Sequence, residues 1–383
     1  MNAIQKITVA GLRSLRDVTL EPGRITVLIG ANGSGKSNLL SLFRLLAAVR
    51  TRSLALHVGR EGGSSTLLYR GEQITREIVL RVQSGHGAYA IVYGGTLGTS
   101  AGGQLVFVDE FAAETVGPDG AWGRGPALGA GHMESRLPDV PRESTAHRAL
   151  EMLRGFAYYH FHDTSPTSPL RSNARAIEHR RLLSDGANLA AYLLFLKQSE
   201  DLKAQVAWRR LTGLLRQVAP FIRELVPTPV NADPETFRLE DPTGRIDNVT
   251  VRLDWIDDEG TRFAMHQLSD GTVRAIALFA ALTQPSSTLP SLICIDEPEL
   301  GLHPAALALL ASLVDSISSH CQVLLATQSP ALLDHFRPED VVVAERVRGA
   351  TELRRLPVDD LRGWLEDYRL SELFDKNVLG GRP

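Results

Sequence analysis

The sequence predicts an α/β protein, with a mixed central sheet around a phosphate-binding loop, an antiparallel side sheet, and a helical lobe inserted between that loop and the rest of the sheet. Three stretches carry the prediction. An apolar run with Ile25, Val27 and Ile29 opens into GANGSGKS and then into a helical pattern. A second run, SLICIDEP, ends in Asp296, Glu297 and a turn proline. A third, VLLATQSP, ends in Gln328 and a proline-started helix.

Gly30, Gly35, Lys36 and Ser37 stand at the fixed places of G-x-x-x-x-G-K-S. A polyphosphate can be wrapped only by backbone N–H groups that curl inward, and Gly33 and Gly35 permit the dihedrals and the close approach. Asn32 and Asn38 belong to the same loop. The following helix, from Lys36 to about residue 49, aims its positive end at the anion. Lys36 reaches the β- and γ-phosphates and Ser37 can ligate Mg²⁺. Leu39, Leu42, Phe43 and Leu46 give that helix its core face. The pattern implies a nucleoside triphosphate ligand.

With 383 residues, 43% of them hydrophobic and 22% charged, the chain is of ordinary globular composition and needs no covalent staples. A net charge of −3 gives no overall basic field, so a nucleic-acid surface would have to be a local patch. Cys294 and Cys321 lie in apolar runs and read as buried, inert thiols of a reducing compartment. The N-terminus has no basic-then-apolar leader pattern, and apolar stretches such as 305–314 are too short to span a bilayer. A cytoplasmic protein without membrane contact is expected.

Along the chain, strands are expected at 4–9 and 17–20, and then at 74–83, 89–93 and 104–111, with SGHG and GGTLGTSAGG as the turns between the last three. The segment 116–145 is rich in Gly and Pro and reads as a long mobile loop. Residues 156–161 alternate, 187–197 and 202–218 are helical, and 237–239 and 249–255 are strand-like. The expected divisions are 1–114 (phosphate loop and side sheet), 115–261 (inserted loop and middle lobe), 262–345 (the remaining chemistry) and 346–383 (a tail).

A carboxylate at the end of a buried strand is where open α/β sheets place ligand chemistry. Asp296 would hold Mg²⁺ through water, and Glu297 would orient and polarise an attacking water as general base. Ser329 caps the helix that Pro330 starts, while Gln328 is positioned to sense a γ-phosphate.

GANGSGKSN, LSDGT at 268–272, LICIDEPELGLHP at 292–304 and ATQSP at 326–330 resemble, in order and in number, the ABC-type ATPases of the RecF/SMC and OLD-like group, above all its stand-alone "AAA family" members. The opening KITVAGLRSLRDVTL is similar to their N-terminal strand pair, and Arg13 is assigned to the nucleotide set on that resemblance; the final GGRP is similar to a recurrent ending among them. The resemblance implies a P-loop NTPase of the ABC-ATPase head type that hydrolyses ATP with Mg²⁺. It further implies that Ser269 and Gly271 touch the γ-phosphate held by a second copy, so that ATP glues a homodimer. Lys36, Glu297 and Gln328 are the catalytic set.

LSDG occurs twice, at 183–186 and 268–271; only the second lies a helix and a loop ahead of Asp296, so Ser184 is read as a plain helix cap. Gln328 stands where many family members have histidine. Gln73, Gln83 and Gln104 are equal candidates for the family's Mg²⁺-contacting glutamine. No heptad arm separates Lys36 from Ser269, and fewer than forty residues follow Glu345, too few for the nuclease domain of OLD-like proteins. Asp359 and Asp360 read as a helix start. Arg171, Arg175, Arg180 and Arg181 read as a solvated helix face rather than a phosphate patch. His160 and His162 stand at i and i+2 without a third ligand type nearby in sequence, and are not read as a metal site.

The family context implies DNA repair, recombination or antiphage defence, with DNA and a separate nuclease or effector as partners. The alternatives are a membrane transporter's ATPase subunit, whose phosphate loop and signature stand much closer together, and an ATP-gated scaffold with little turnover.

Overall fold

The computed structural model describes residues 3–85, 90–116, 121–122, 127–234, 237–239, 246 and 248–381. The chain begins with β1 (Ile4–Leu12), β2 (Leu15–Leu20), β3 (Ile25–Ile29), α1 (Lys36–Arg50), α2 (Leu54–Arg60) and α3 (Ser64–Leu67). It continues with β4 (Glu77–Ser84), β5 (Ile91–Thr99), β6 (Leu105–Val116), β7 (Ala121–Trp122), β8 (Ala127–Gly129), α4 (Thr145–Arg154) and β9 (Phe156–Tyr159). Then come β10 (Ala174–Arg175), α5 (Leu189–Gln198), α6 (Leu202–Val218), β11 (Ile222–Pro229), β12 (Thr250–Asp257), β13 (Arg262–Ala264) and α7 (Asp270–Leu282). Last are β14 (Leu292–Asp296), α8 (Pro304–Ile317), β15 (Gln322–Thr327), α9 (Pro330–Leu333), β16 (Val341–Val347), β17 (Ala350–Arg355), α10 (Val358–Asp367) and α11 (Leu370–Asp375).

The chain divides into two compact units. The first comprises Met1–Tyr158, Pro290–Cys294 and Cys321–Pro383. It carries a sheet ordered β2-β1-β4-β5-β6-β7, with β8 also on β6, and a second sheet ordered β17-β16-β3-β15-β14-β9. The first sheet is antiparallel through β1, β2, β4, β5 and β6. In the second, β3 lies parallel to both β15 and β16, and all five of its residues are buried. Helix α1 buries Leu39, Leu40, Leu42, Phe43, Leu45 and Leu46 in the same core as Leu292, Leu324 and Val342. At about 25 cal/mol per Å² of apolar surface, such burial is what orders the elements.

The second unit comprises Tyr159–Leu289 and Ile295–His320. Its antiparallel sheet runs β10-β12-β11, with β13 on β12. The middle of the chain therefore holds a small sheet beside helices α5 and α6. Helix α7 is buried along every position from Val273 to Leu282, and α5 from Leu189 to Leu194.

Several sequence expectations are corrected here. GGTLGT is not a turn, since Gly94–Thr99 continues β5, paired with β4 and, with a register shift between Thr96 and Leu97, with β6. A Cβ on Gly94 would fall 2.6 Å from Phe111 Cζ, so glycine makes room for the aromatic ring across the ladder. Part of 116–145, and Tyr89, lie outside the described residues; within that loop, however, 127–139 packs back on the sheet, with Leu128 and Leu137 buried. The anchor is Glu110, wholly buried, whose carboxylate accepts from Tyr93 Oη at 2.8 Å, Ser135 Oγ at 2.5 Å and Arg136 N at 3.1 Å. Burial, and then Glu110, push the Tyr93 phenol well above its ordinary pKa. Residues 237–239 form no strand. Strand β11 is not among the expected strands; Pro227 and Pro229 lie in it and are tolerated because β11 is an edge strand.

Glu110→Ala would leave the Tyr93 and Ser135 hydroxyls and the Arg136 N–H without their buried acceptor. The expected loss is about 2–3 kcal/mol, read as a lower urea midpoint together with faster proteolysis within 127–139. An unchanged midpoint would mean that this network does not hold the segment down.

Candidate functional site

Two groups of chemistry-bearing residues stand out, one in each unit. In the first unit, β3 ends at Ile29 and the loop from Gly30 to Gly35 leads into α1. Gly30, Gly33 and Gly35 have φ of 155°, 80° and 106°. A Cβ on Gly35 would lie 1.8 Å from Thr351 Oγ1, and one on Gly30 would lie 2.4 Å from the Ala344 carbonyl, whereas Gly33 faces open space. Two of the glycines are thus required by neighbours as well as by φ, and Gly33 by φ alone. Lys36 is buried, and its ammonium donates to the Gly30 carbonyl and, at 3.1 Å, to that of Ala31. Asn32 and Ser37 are exposed and Asn38 is half-buried.

The loop is braced from several sides. Thr351 Oγ1 donates to the Ser34 carbonyl at 3.0 Å and lies 2.7 Å from Ser14 Oγ, which accepts from Asn38 Nδ2 at 2.7 Å. The Ala31 N–H donates to the Gly381 carbonyl, and the Gly381 N–H donates to Glu345 Oε1 at 2.8 Å. A Cβ on Gly381 would meet Gly30 Cα at 3.3 Å. GGRP therefore begins against the phosphate loop, although Arg382 and Pro383 lie outside the described residues. The parallel register pairs Thr327 with Ile29, so Gln328 and Gly30 leave the sheet at the same level. Ser329 caps α9, accepting from Leu332 N at 3.2 Å, with Pro330 at its first position. Arg13, with φ of 52°, forms an ion pair with Glu61.

In the second unit, Asp296 closes β14 and is 5% exposed; its Oδ1 is buried without a hydrogen-bond partner among the described residues. Glu297 has φ of 42°, rare for a residue with a side chain and further strained ahead of Pro298. Such strain, of order 1–3 kcal/mol, gathers at functional positions. Ser269 is the N-cap of α7, its Oγ accepting from Thr272 N at 3.3 Å. A Cβ on Gly271 would fall 2.2 Å from the Gly301 carbonyl, so the helix start packs directly on the turn that follows Glu297. Ser184 is not a cap: α5 begins at Leu189 after Asn188, and the Ser184 carbonyl accepts from His160 N at 2.9 Å.

Three sets of residues in this unit escaped the sequence reading. Arg274, nearly buried, donates to the Phe161 carbonyl at 2.8 Å, the His162 carbonyl at 2.9 Å and the Leu300 carbonyl at 2.5 Å. Arg171 lies on no solvated helix face; its side chain is buried and donates to the carbonyls of Thr164, Met265 and Leu268 and to Asp270, bracing the start of α7. His160 and His162 have ring centroids 3.8 Å apart and stand beside the acids: His160 Nδ1 is 3.3 Å from Asp296 Oδ2, and His162 Nε2 is 3.8 Å from Glu297 Oε2. Burial, and then His160, lower the His162 pKa below its ordinary value. Only the i, i+2 spacing hinted at this pair, because its carboxylate partners come from more than 130 residues further along the chain.

The fold and the phosphate loop are those of a P-loop NTPase of the ABC-ATPase head type. The chain belongs to the family described as "AAA domain, putative AbiEii toxin, Type IV TA system", whose model matches residues 25–85 and 153–334, more than half of the sequence. Among solved structures it is similar to the Smc head domain with an extended coiled coil from Pyrococcus furiosus, at TM-score 0.59 and 13% identity over 96% of this chain and 99% of that one. The Smc head domain of Pyrococcus yayanosii gives TM-score 0.55 at 11% identity over 96% and 99%. Sequence relatives match locally. RecF, the DNA replication and repair protein of Pseudomonas savastanoi pv. phaseolicola, is 44% identical over 50 residues, 13% of this chain and 14% of its own length. The hemin import ATP-binding protein HmuV of Burkholderia cenocepacia is 48% identical over 64 residues, 16% of this chain and 21% of its own. The matches thus span about a seventh and a fifth of those relatives.

Gly35→Ala and Gly33→Ala separate contact from conformation. The first is expected to lower the melting temperature several degrees further than the second, whose cost is about 1–2 kcal/mol of left-handed strain alone. Equal shifts in differential scanning fluorimetry would contradict the bracing role of Thr351.

Proposed function

We propose that the protein is an ATPase whose two copies close around two ATP·Mg²⁺ and reopen on hydrolysis. The observation that carries the reading is the loop at the end of β3, with its left-handed glycines and the Lys36 ammonium turned into it. Lys36 and the loop residues Gly30, Asn32, Gly33, Gly35, Ser37 and Asn38 would hold the triphosphate, with Arg13 released from Glu61 to join them. Asp296 is the residue proposed to hold a hydrated divalent cation, since its buried Oδ1, without a hydrogen-bond partner among the described residues, is the kind of acceptor such waters satisfy, and the exposed Ser37 is proposed as a further ligand on the resemblance. When bound, magnesium would supply neutralisation of phosphate charge. Glu297 orients and deprotonates the attacking water, Gln328 senses the γ-phosphate, and Ser269 and Gly271 complete the partner copy's site. Closure follows because ATP binds the closed pair better than the open one.

The RecF likeness supports work in DNA repair, recombination or defence, with DNA and a separate effector as partners and the cytoplasm as the place of action. The HmuV likeness supports the rival reading, a transporter subunit, over a similarly short stretch. Among the described residues no helix is long and apolar enough to cross a membrane. Turnover stimulated by duplex DNA supports the first reading; turnover that ignores DNA, with copurification in membranes, supports the second. Dimerisation with ATP but no turnover would leave a nucleotide-gated scaffold.

Lys36→Ala is expected to abolish ATP binding, and retained affinity in a filter-binding assay would refute the phosphate-loop assignment. Glu297→Gln is expected to accumulate an ATP-bound dimer in gel filtration, with hydrolysis reduced at least about a hundredfold. Ser269→Arg should preserve nucleotide binding and block pairing while Ser184→Arg leaves pairing intact; the opposite pattern would move the signature to the first LSDG.

A further inference from the structure

We propose that the second unit holds a transition-metal site made by His160, His162 and Asp296, selective for ions such as Zn²⁺ or Co²⁺ over Mg²⁺ and loaded without nucleotide. One donor atom from each of the three residues lies within 4.8 Å of the others, and no other group of three or more such residues occurs among the described residues. The separation of 3.3 Å between His160 Nδ1 and Asp296 Oδ2 is what two ligands on one tetrahedral ion show when each bond is about 2.0–2.1 Å long. A second observation points the same way. Asp296 is nineteen-twentieths buried, and its other oxygen, Oδ1, has no hydrogen-bond partner among the described residues, a costly condition for a carboxylate that a cation would relieve.

The support around the donors is of the kind ligating imidazoles use. His162 donates Nε2–H to the Asp296 carbonyl at 3.3 Å, which fixes its tautomer. Arg274 holds the backbone between the two histidines and at the second of them, through the carbonyls of Phe161 and His162. Tyr159 and Phe161 stack at 5.5 Å between centroids on the same strand end. His160 is exposed enough to admit an ion from solvent. Two imidazoles select a borderline transition metal, because Mg²⁺ takes oxygen donors. An ion held here would occupy the carboxylate that the ATPase reading assigns to hydrated magnesium, so its occupancy would reduce Mg²⁺-dependent turnover. The site itself does not rest on that reading.

The test is titration of the full, nucleotide-free chain with Co²⁺, followed by visible absorption and equilibrium dialysis. The expected result is one Co²⁺ per chain, displaced by stoichiometric Zn²⁺ and retained in a hundredfold excess of Mg²⁺. His160→Asn and His162→Gln should each weaken binding by roughly tenfold or more, with unchanged circular dichroism. Lys36→Ala should bind Co²⁺ as the parent does, so a failure of the nucleotide reading shows in ATP binding and leaves this titration untouched. The absence of bound Co²⁺, binding that Mg²⁺ displaces, or binding unaltered in both histidine variants would overturn the site.

Discussion

A strand with parallel neighbours on both sides cannot slide without breaking both ladders, and β3 is held in this way between β15 and β16. Its register fixes where the glycine loop begins. Because Thr327 and Val343 both pair with Ile29, β3 and β15 end at the same level, and Gly30 and Gln328 leave the sheet there beside Ala344 of the continuing β16. For two of the three left-handed glycines, Gly30 and Gly35, the requirement is also a packing demand. The Ala344 carbonyl presses on Gly30 and the Thr351 hydroxyl on Gly35, so the loop has only one way to fold back over Lys36. Preorganisation of this kind lowers the ordering cost of capturing a polyphosphate.

The second unit solves a related problem with side chains in place of strands. Two arginines there turn inward to satisfy carbonyls that irregular backbone would otherwise leave unpaired: Arg274 for the segments bearing His162 and Leu300, and Arg171 for the loop ahead of Ser269. Guanidinium suits the task because its five N–H groups form a rigid fork. The strained Glu297 is therefore followed by a turn whose backbone is held by α7 at two adjacent residues, Leu300 by Arg274 and Gly301 by the close approach of Gly271.

The phosphate loop, the acidic strand and the helix start at Ser269 could be read in the sequence because each is a contiguous word whose spacing follows from local geometry. The Gly-rich half of β5 could not, since glycine's usual meaning as a turn former was overridden by the phenylalanines opposite it. Nor could β11, whose prolines are harmless only on an edge. Arg171 read as a surface charge, and Arg274 was not singled out, because carbonyl partners such as Met265 and Phe161 lie about a hundred residues away, and sequence periodicity carries no information about such partners. The pairing of His160 and His162 with Asp296 and Glu297 escaped for the same reason.

The anchoring of Gly381 has a practical corollary. Its carbonyl accepts a hydrogen bond from the second residue of the glycine loop, while its amide is tied to Glu345. A change at Gly381 is therefore felt by the backbone that would receive an anion. A substitution that loosened Gly381 would enter any measured dissociation constant, and by thermodynamic reciprocity ligand would alter how firmly Gly381 is seated.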